Sequence, residues 1–130
     1  MVRPTRMLAR GLVHRCPVCG QGRLFTRWFT LTEQCPGCDL RFERIEGHWL
    51  GALGLNTIVS FSVLLVVVVA ALVLSHPDYE PVPLVVATVA AAVVVPLAFY
   101  PSSKTTWTAI DILLRPLDAG EARPPGEATR

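Results

Sequence analysis

The chain has 130 residues, 52% of them hydrophobic and 17% charged, with a formal net charge of +2. Its apolar residues crowd into two uncharged runs, and the remainder is too polar for a large soluble core. An ordinary soluble enzyme domain is thereby excluded, while a small metal-stapled module beside two membrane helices is allowed.

Residues 1–49 carry all four cysteines, Cys16, Cys19, Cys35 and Cys38, as two C-x2-C pairs separated by 15 residues. This spacing reads as a zinc site: two intervening residues let both sulfurs of a pair face inward from one tight turn, and two such turns close a tetrahedron. Gly20 after the first pair and Asp39 after the second are residue types that tolerate the positive φ expected behind such a turn. The intervening RLFTRWFTLTEQ, rich in aromatic and β-branched residues, predicts the short strands of a zinc ribbon, with Phe25, Trp28 and Phe29 as its core. His14 is expected to be a solvated interfacial histidine, because four cysteines already satisfy the metal. A closed site with four protein ligands has no open position for substrate, so the metal is expected to fold the module and not to catalyse. Two other uses of the cysteines stay open: paired disulfides, which a reducing compartment disfavours, and a redox dithiol or metal carrier, which here lacks βαβ surroundings. Nucleic-acid binding is weaker still, because four thiolates around one Zn²⁺ add net negative charge to a segment that holds eight arginines and four carboxylates.

Residues 50–74 contain no charged side chain and would be about 37 Å long as a helix, enough to cross a hydrocarbon core of about 30 Å. Residues 82–100 form the second uncharged run, about 28 Å long, with Pro83 suited to a helix start and Pro96 to a kink. Both are predicted transmembrane helices, and the short external loop 75–81 makes them an antiparallel hairpin. Lys and Arg number eight in residues 1–49, four in residues 101–130 and none in the loop, which orients both termini to the cytoplasm. Asn56, Ser60, Val63, Val67 and Ala70 on the first helix are expected to face Ala87, Ala91 and Ala98 on the second, with Asn56 finding a hydrogen-bond partner. Neither run holds an ionisable group, so ion translocation by this chain alone is not expected.

In residues 101–117, Trp107, Ile110, Leu114 and Leu117 share one helical face, and Asp111 and Arg115 are spaced for an i, i+4 pair. This predicts an interfacial amphipathic helix, serving either as a docking helix for the ribbon or a partner, or as a simple membrane anchor. Residues 118–130, DAGEARPPGEATR, read as a disordered tail.

Taken together, CPVCGQGRLF, the second knuckle CPGCDLRFE, the EGHWLGA approach to the first helix and FYPSSKTTWTAIDILLRPL after the second resemble the bacterial membrane family catalogued as domain of unknown function 983. The resemblance runs from about Arg15 to Leu117. It departs at Asp39, where the family's second knuckle ordinarily ends in glycine, and before the first helix, where an acidic-glycine segment is reduced to Glu46 and Gly47. The resemblance implies this architecture without an assigned activity, and family members encoded beside cytochrome oxidase and its assembly factors point to respiratory-complex biogenesis.

The resulting expectation is an α-helical membrane hairpin with a small N-terminal zinc ribbon and a short C-terminal amphipathic helix. Cys16, Cys19, Cys35 and Cys38 would hold a structural zinc ion. The protein would sit in the bacterial inner membrane as a non-enzymatic adaptor or assembly factor, its partners being the lipid bilayer and another membrane protein or a second copy. No small-molecule substrate is expected. A membrane-tethered thiol redox protein or metal carrier is the alternative, and a tethered nucleic-acid binder the third.

Overall fold

The computed structural model describes residues 3–123. The element order is α1 (Pro4–Leu12), β1 (Phe25–Arg27), β2 (Thr30–Leu31), α2 (His48–Leu74) and α3 (Pro81–Leu114). The chain divides into two compact units, one made of Met1–Leu53 with Pro101–Arg130 and the other of Gly54–Tyr100. The cysteine-bearing module is therefore not the continuous segment 1–49: the C-terminal part of α3 completes it.

In this first unit, α1 starts with Pro4 at its first turn, where the missing N–H costs nothing, and it buries Met7 and Gly11 one turn apart. Gly11 meets the C-terminal part of α3 at backbone distance, since a β-carbon placed on it would lie 2.9 Å from the Thr105 carbonyl oxygen and the Thr106 Cα. Hydroxyls of α3 donate to carbonyls at the end of α1: Thr105 Oγ1 to Gly11 O at 2.5 Å, which also accepts from His14 N at 3.2 Å, and Ser102 Oγ to Leu12 O at 3.1 Å. With the Ser102 proton so placed, His14 Nε2 donates to Ser102 Oγ at 2.7 Å. The His14 ring also meets Phe25 edge-on, so this histidine is packed into the module and not simply solvated.

β1 and β2 pair antiparallel, with Phe25 opposite Leu31 and Arg27 opposite Thr30, and a further bridge joins Gln34 to Arg41 across the second knuckle. The expected aromatic core is corrected by the burial pattern. Leu24, Leu40 and Phe42 are fully buried beside the cysteines, in one cluster with the buried Met7, Ala109 and Ile112. Trp28 and Phe29 sit at the hairpin tip and are 58% and 46% exposed. A tip residue has no second layer to cover it, whereas Leu24 and Phe42 lie on the legs that face α3.

Residues 101–114 continue α3 without a break at Tyr100, so the second span and the expected C-terminal helix are one element. The buried face of this part is Ser102, Ser103, Thr105, Thr106, Thr108, Ala109, Asp111 and Ile112, while Leu114 is 71% exposed. Of the two uses weighed for this segment, the structure has it docked on the ribbon, and through its hydroxyl face. Thr108 Oγ1 returns its proton to Lys104 O at 3.0 Å, the local bond that lets such a side chain be buried.

Asp111 does not pair with Arg115 along the helix. It takes Arg44 at 3.1 Å instead, with both side chains 8% exposed, and Arg44 also binds Glu121 at 2.8 Å and donates to Arg115 O at 3.0 Å. Residues 118–123, expected to be part of a disordered tail, are thereby held to the module; residues 124–130 lie outside the described residues.

The second unit is the helical hairpin formed by residues 54–74 of α2 and 81–100 of α3. Both helices are long and apolar enough to cross a membrane, and 0% of the most apolar 18-residue window of either is buried by protein. A buried core helix would show the opposite, so these side chains call for an apolar solvent. Asn56 is buried and donates from Nδ2 to Pro96 O at 3.3 Å, which supplies the expected partner. Asn56, Ser60 and Val67 lie on the covered or half-covered face of α2, and Ala87 and Ala91 on that of α3. Val63, Ala70 and Ala98 are exposed, and the half-covered face of α2 runs through Leu64 and Ala71 instead.

Candidate metal centre

The four cysteines come together from two loops that fold alike. In the first, Cys16 N donates to Gln21 O at 2.9 Å and Gly20 N to Cys16 O at 2.9 Å; in the second, Cys35 N donates to Leu40 O and Asp39 N to Cys35 O, both at 2.9 Å. Gly20 has φ +79° and Asp39 φ +56°, the left-handed turn residues expected at these two positions. Each loop also aims backbone amides at its leading sulfur: those of Val18 and Cys19 at Cys16, and those of Gly37 and Cys38 at Cys35. Gln21 N lies 3.5 Å from Cys19 Sγ.

The sulfurs meet across the two loops. Cys16 Sγ is 3.6 Å from Cys38 Sγ, Cys19 Sγ is 3.5 Å from Cys35 Sγ, and all four lie within 4.8 Å of one another. These separations are far above a disulfide's roughly 2.0 Å and close to the edge of a tetrahedron with metal–sulfur bonds of about 2.3 Å, which is roughly 3.8 Å. All four are free cysteines, with Cys16, Cys35 and Cys38 buried and Cys19 half-buried. They form a set that could hold one metal ion.

Two further residues shape the site, and the spacing of the cysteines does not reveal them. Gly37 is the first: a β-carbon there would lie 3.1 Å from Cys19 Sγ and 3.3 Å from Gln21 Cβ, so the second loop's glycine makes room for the first loop's sulfur. Arg10, from α1, donates to Val18 O at 2.9 Å and to Pro17 O at 3.4 Å, and its guanidinium would be 3.1 Å from a β-carbon at Gly20. It clamps the first loop and brings a positive charge to the cluster. On the second loop, Arg123 N donates to Cys38 O at 2.7 Å while its side chain pairs with Asp39 at 2.6 Å.

The close packing of the four thiols governs their protonation. The hydrogen bond with Cys38, followed by burial, pushes the Cys16 thiol well above its ordinary range, and burial pushes Cys35 up to about 11. Four thiolates at these separations repel one another in a low-dielectric interior, so ionisation of the set requires a positive ion at its centre. Of the other residues noted in the sequence, His14 lies against Ser102 and Phe25, and His48 pairs with Thr108 at 3.4 Å. Neither belongs to the sulfur cluster.

A family model described as protein of unknown function (DUF983) matches residues 25–111. The chain belongs to this family. The DUF983 match contains Cys35 and Cys38, both apolar helices and the α3 platform up to Asp111, and it starts after Cys16 and Cys19. It is thus shorter at both ends than the resemblance visible from Arg15 to Leu117. Among curated proteins and solved structures, none matches this DUF983 chain.

Proposed function

We propose that this DUF983 protein is a non-enzymatic adaptor or assembly factor of the bacterial inner membrane, built on a zinc ribbon with both termini in the cytoplasm. One observation carries the reading. Four sulfurs at tetrahedral separations, from two loops with the same hydrogen bonds, make a closed coordination shell, and a shell of four protein ligands folds a module without offering a place for substrate. Zinc is the metal that an all-thiolate tetrahedron in a cytoplasmic module suits best. The raised Cys16 and Cys35 thiols favour this over redox chemistry, which needs an accessible thiolate of lowered pKa.

The surface that such an adaptor presents is the hairpin tip, where Arg27 is followed by the exposed Trp28 and Phe29. Trp and Arg are the side chains that most often anchor protein interfaces. A module tethered at the membrane gains effective concentration for any partner in the same bilayer, and a respiratory complex under assembly is one such partner.

Metal content and free-thiol titration of the detergent-purified full chain, handled without chelator or added metal, test this. One zinc per chain with unreactive thiols is expected. Little zinc with two or four reactive thiols, or bound copper, would turn the reading towards redox or metal transfer. Photo-crosslinking from Trp28 in native membranes is expected to capture a membrane protein, and capture of RNA in its place would favour the nucleic-acid reading.

A further inference from the structure

Beside the candidate metal centre, the first unit holds a cavity of about 550 Å³ between the β2 leg, the segment of residues 41–43 that follows the second knuckle, the first turns of α2 and the C-terminal part of α3. That volume falls in the range of small-ligand sites. We propose that this cavity binds the headgroup of a zwitterionic phospholipid bearing a primary ammonium, as in phosphatidylethanolamine.

The lining decides the ligand class. Glu33 and Glu43 supply two carboxylates, Arg41 and Lys104 two cations, so the cavity's formal charge balances to zero. Glu33, Glu43 and Arg41 make no ion pair among the described residues. An anionic headgroup would meet both carboxylates, and a simple amine both cations; a phosphodiester with an ammonium two carbons away has a partner for each. His48 and Lys104 also line the cavity, and His48 opens α2, whose positive dipole end favours the phosphate. Thr32 Oγ1 is a buried hydroxyl with no hydrogen-bond partner on this wall, a donor for a phosphate oxygen.

The place fits a lipid as well as the charge does. Trp49 and Ala52 line the cavity where the uncharged run of α2 begins, and Trp49 is 57% exposed. Tryptophan at the start of a membrane helix sits at headgroup level, so a lipid's acyl chains leave the cavity past Trp49 on the side of the hydrocarbon. This inference rests on the membrane reading above but not on zinc or on an adaptor role.

Native mass spectrometry of the full chain in detergent, offered an equimolar mixture of phosphatidylethanolamine, phosphatidylcholine and phosphatidylglycerol with matched acyl chains, tests it. Phosphatidylethanolamine is expected to be retained about tenfold over phosphatidylcholine, whose quaternary ammonium cannot donate hydrogen bonds, and further over phosphatidylglycerol. Glu33→Gln/Glu43→Gln, changing exposed side chains that hold no ion pair, is expected to erase that preference without lowering the melting temperature. Equal or better retention of phosphatidylglycerol, or an unchanged preference in the double variant, overturns the site. Binding of water-soluble glycerophosphoethanolamine at the same residues with no lipid retained overturns the lipid as the source. A chain that stays in solution without detergent overturns the membrane reading itself, an outcome distinct from loss of selectivity in an inserted protein.

Discussion

At the scale of single residues, the sulfur cluster is a competition between protons and a metal. Cys16 and Cys35 hold their protons more tightly than ordinary thiols, and a bound metal requires the deprotonated forms, so each ligand that is reprotonated on acidification favours release. Metal retention is therefore expected to be complete at neutral and alkaline pH and to fall as pH drops, more steeply than a one-proton curve; a metal-sensitive dye read across a pH series checks this. Gly37→Ala places a methyl group against Cys19 Sγ and Gln21 Cβ, and is expected to destabilise the module by about 1–2 kcal/mol and to speed metal loss to a chelator. The four ligands were legible from spacing alone, because two residues between paired cysteines is a geometric requirement of the loop. Gly37 and Arg10 were not, since each acts on the loop that does not contain it, and no short-range pattern encodes a contact between loops.

At the scale of elements, the two apolar helices could be read from length and absence of charge, and the hairpin strands from their residue types. The C-terminal part of α3 could not be read by the same rule. Apolar periodicity finds Trp107, Ile110 and Leu114, whereas the face that packs is a row of serines and threonines, of which Ser102, Thr105 and Thr108 are made buriable by carbonyls of α1 and of their own helix. Thr105→Val keeps the shape and removes the donor to Gly11 O, and is expected to cost about 1–2 kcal/mol in a thermal melt of the purified chain. α1 carries a weaker signal of its own: Pro4 at a first turn, followed by Met7 and Gly11 one turn apart. The Arg44 cluster behaves as a latch for the segment after α3. The hydrogen bond from Arg44 holds the Glu121 carboxyl below the usual carboxylate range, so its contribution is present at neutral pH and disappears as pH falls through that lowered value. Amide exchange at residues 118–123 is expected to rise in that acid range, and at neutral pH in Glu121→Gln. Arg44→Met leaves Asp111 buried without its cation and is expected to cost about 3 kcal/mol.

At the scale of the whole molecule, the two units differ in solvent. One has a core of cysteines, Leu24, Leu40 and Phe42, and the other fully buries none of its apolar side chains. The protein is expected to resist alkaline carbonate extraction from membranes and to need detergent in solution, and recovery in the carbonate supernatant would contradict this. The first unit is also discontinuous, with residues 1–53 preceding the hairpin and the hydroxyl platform following it. A ribosome therefore delivers α1 and both cysteine loops before any of the surface they rest on. For that interval Gly11 lacks its bed, Leu12 its carbonyl's donor and Arg44 its buried acid. Only after residues 54–100 have been handed to the insertion machinery does Ser102–Asp111 emerge to complete the module. Closure of this module therefore comes after synthesis of the helices encoded inside it.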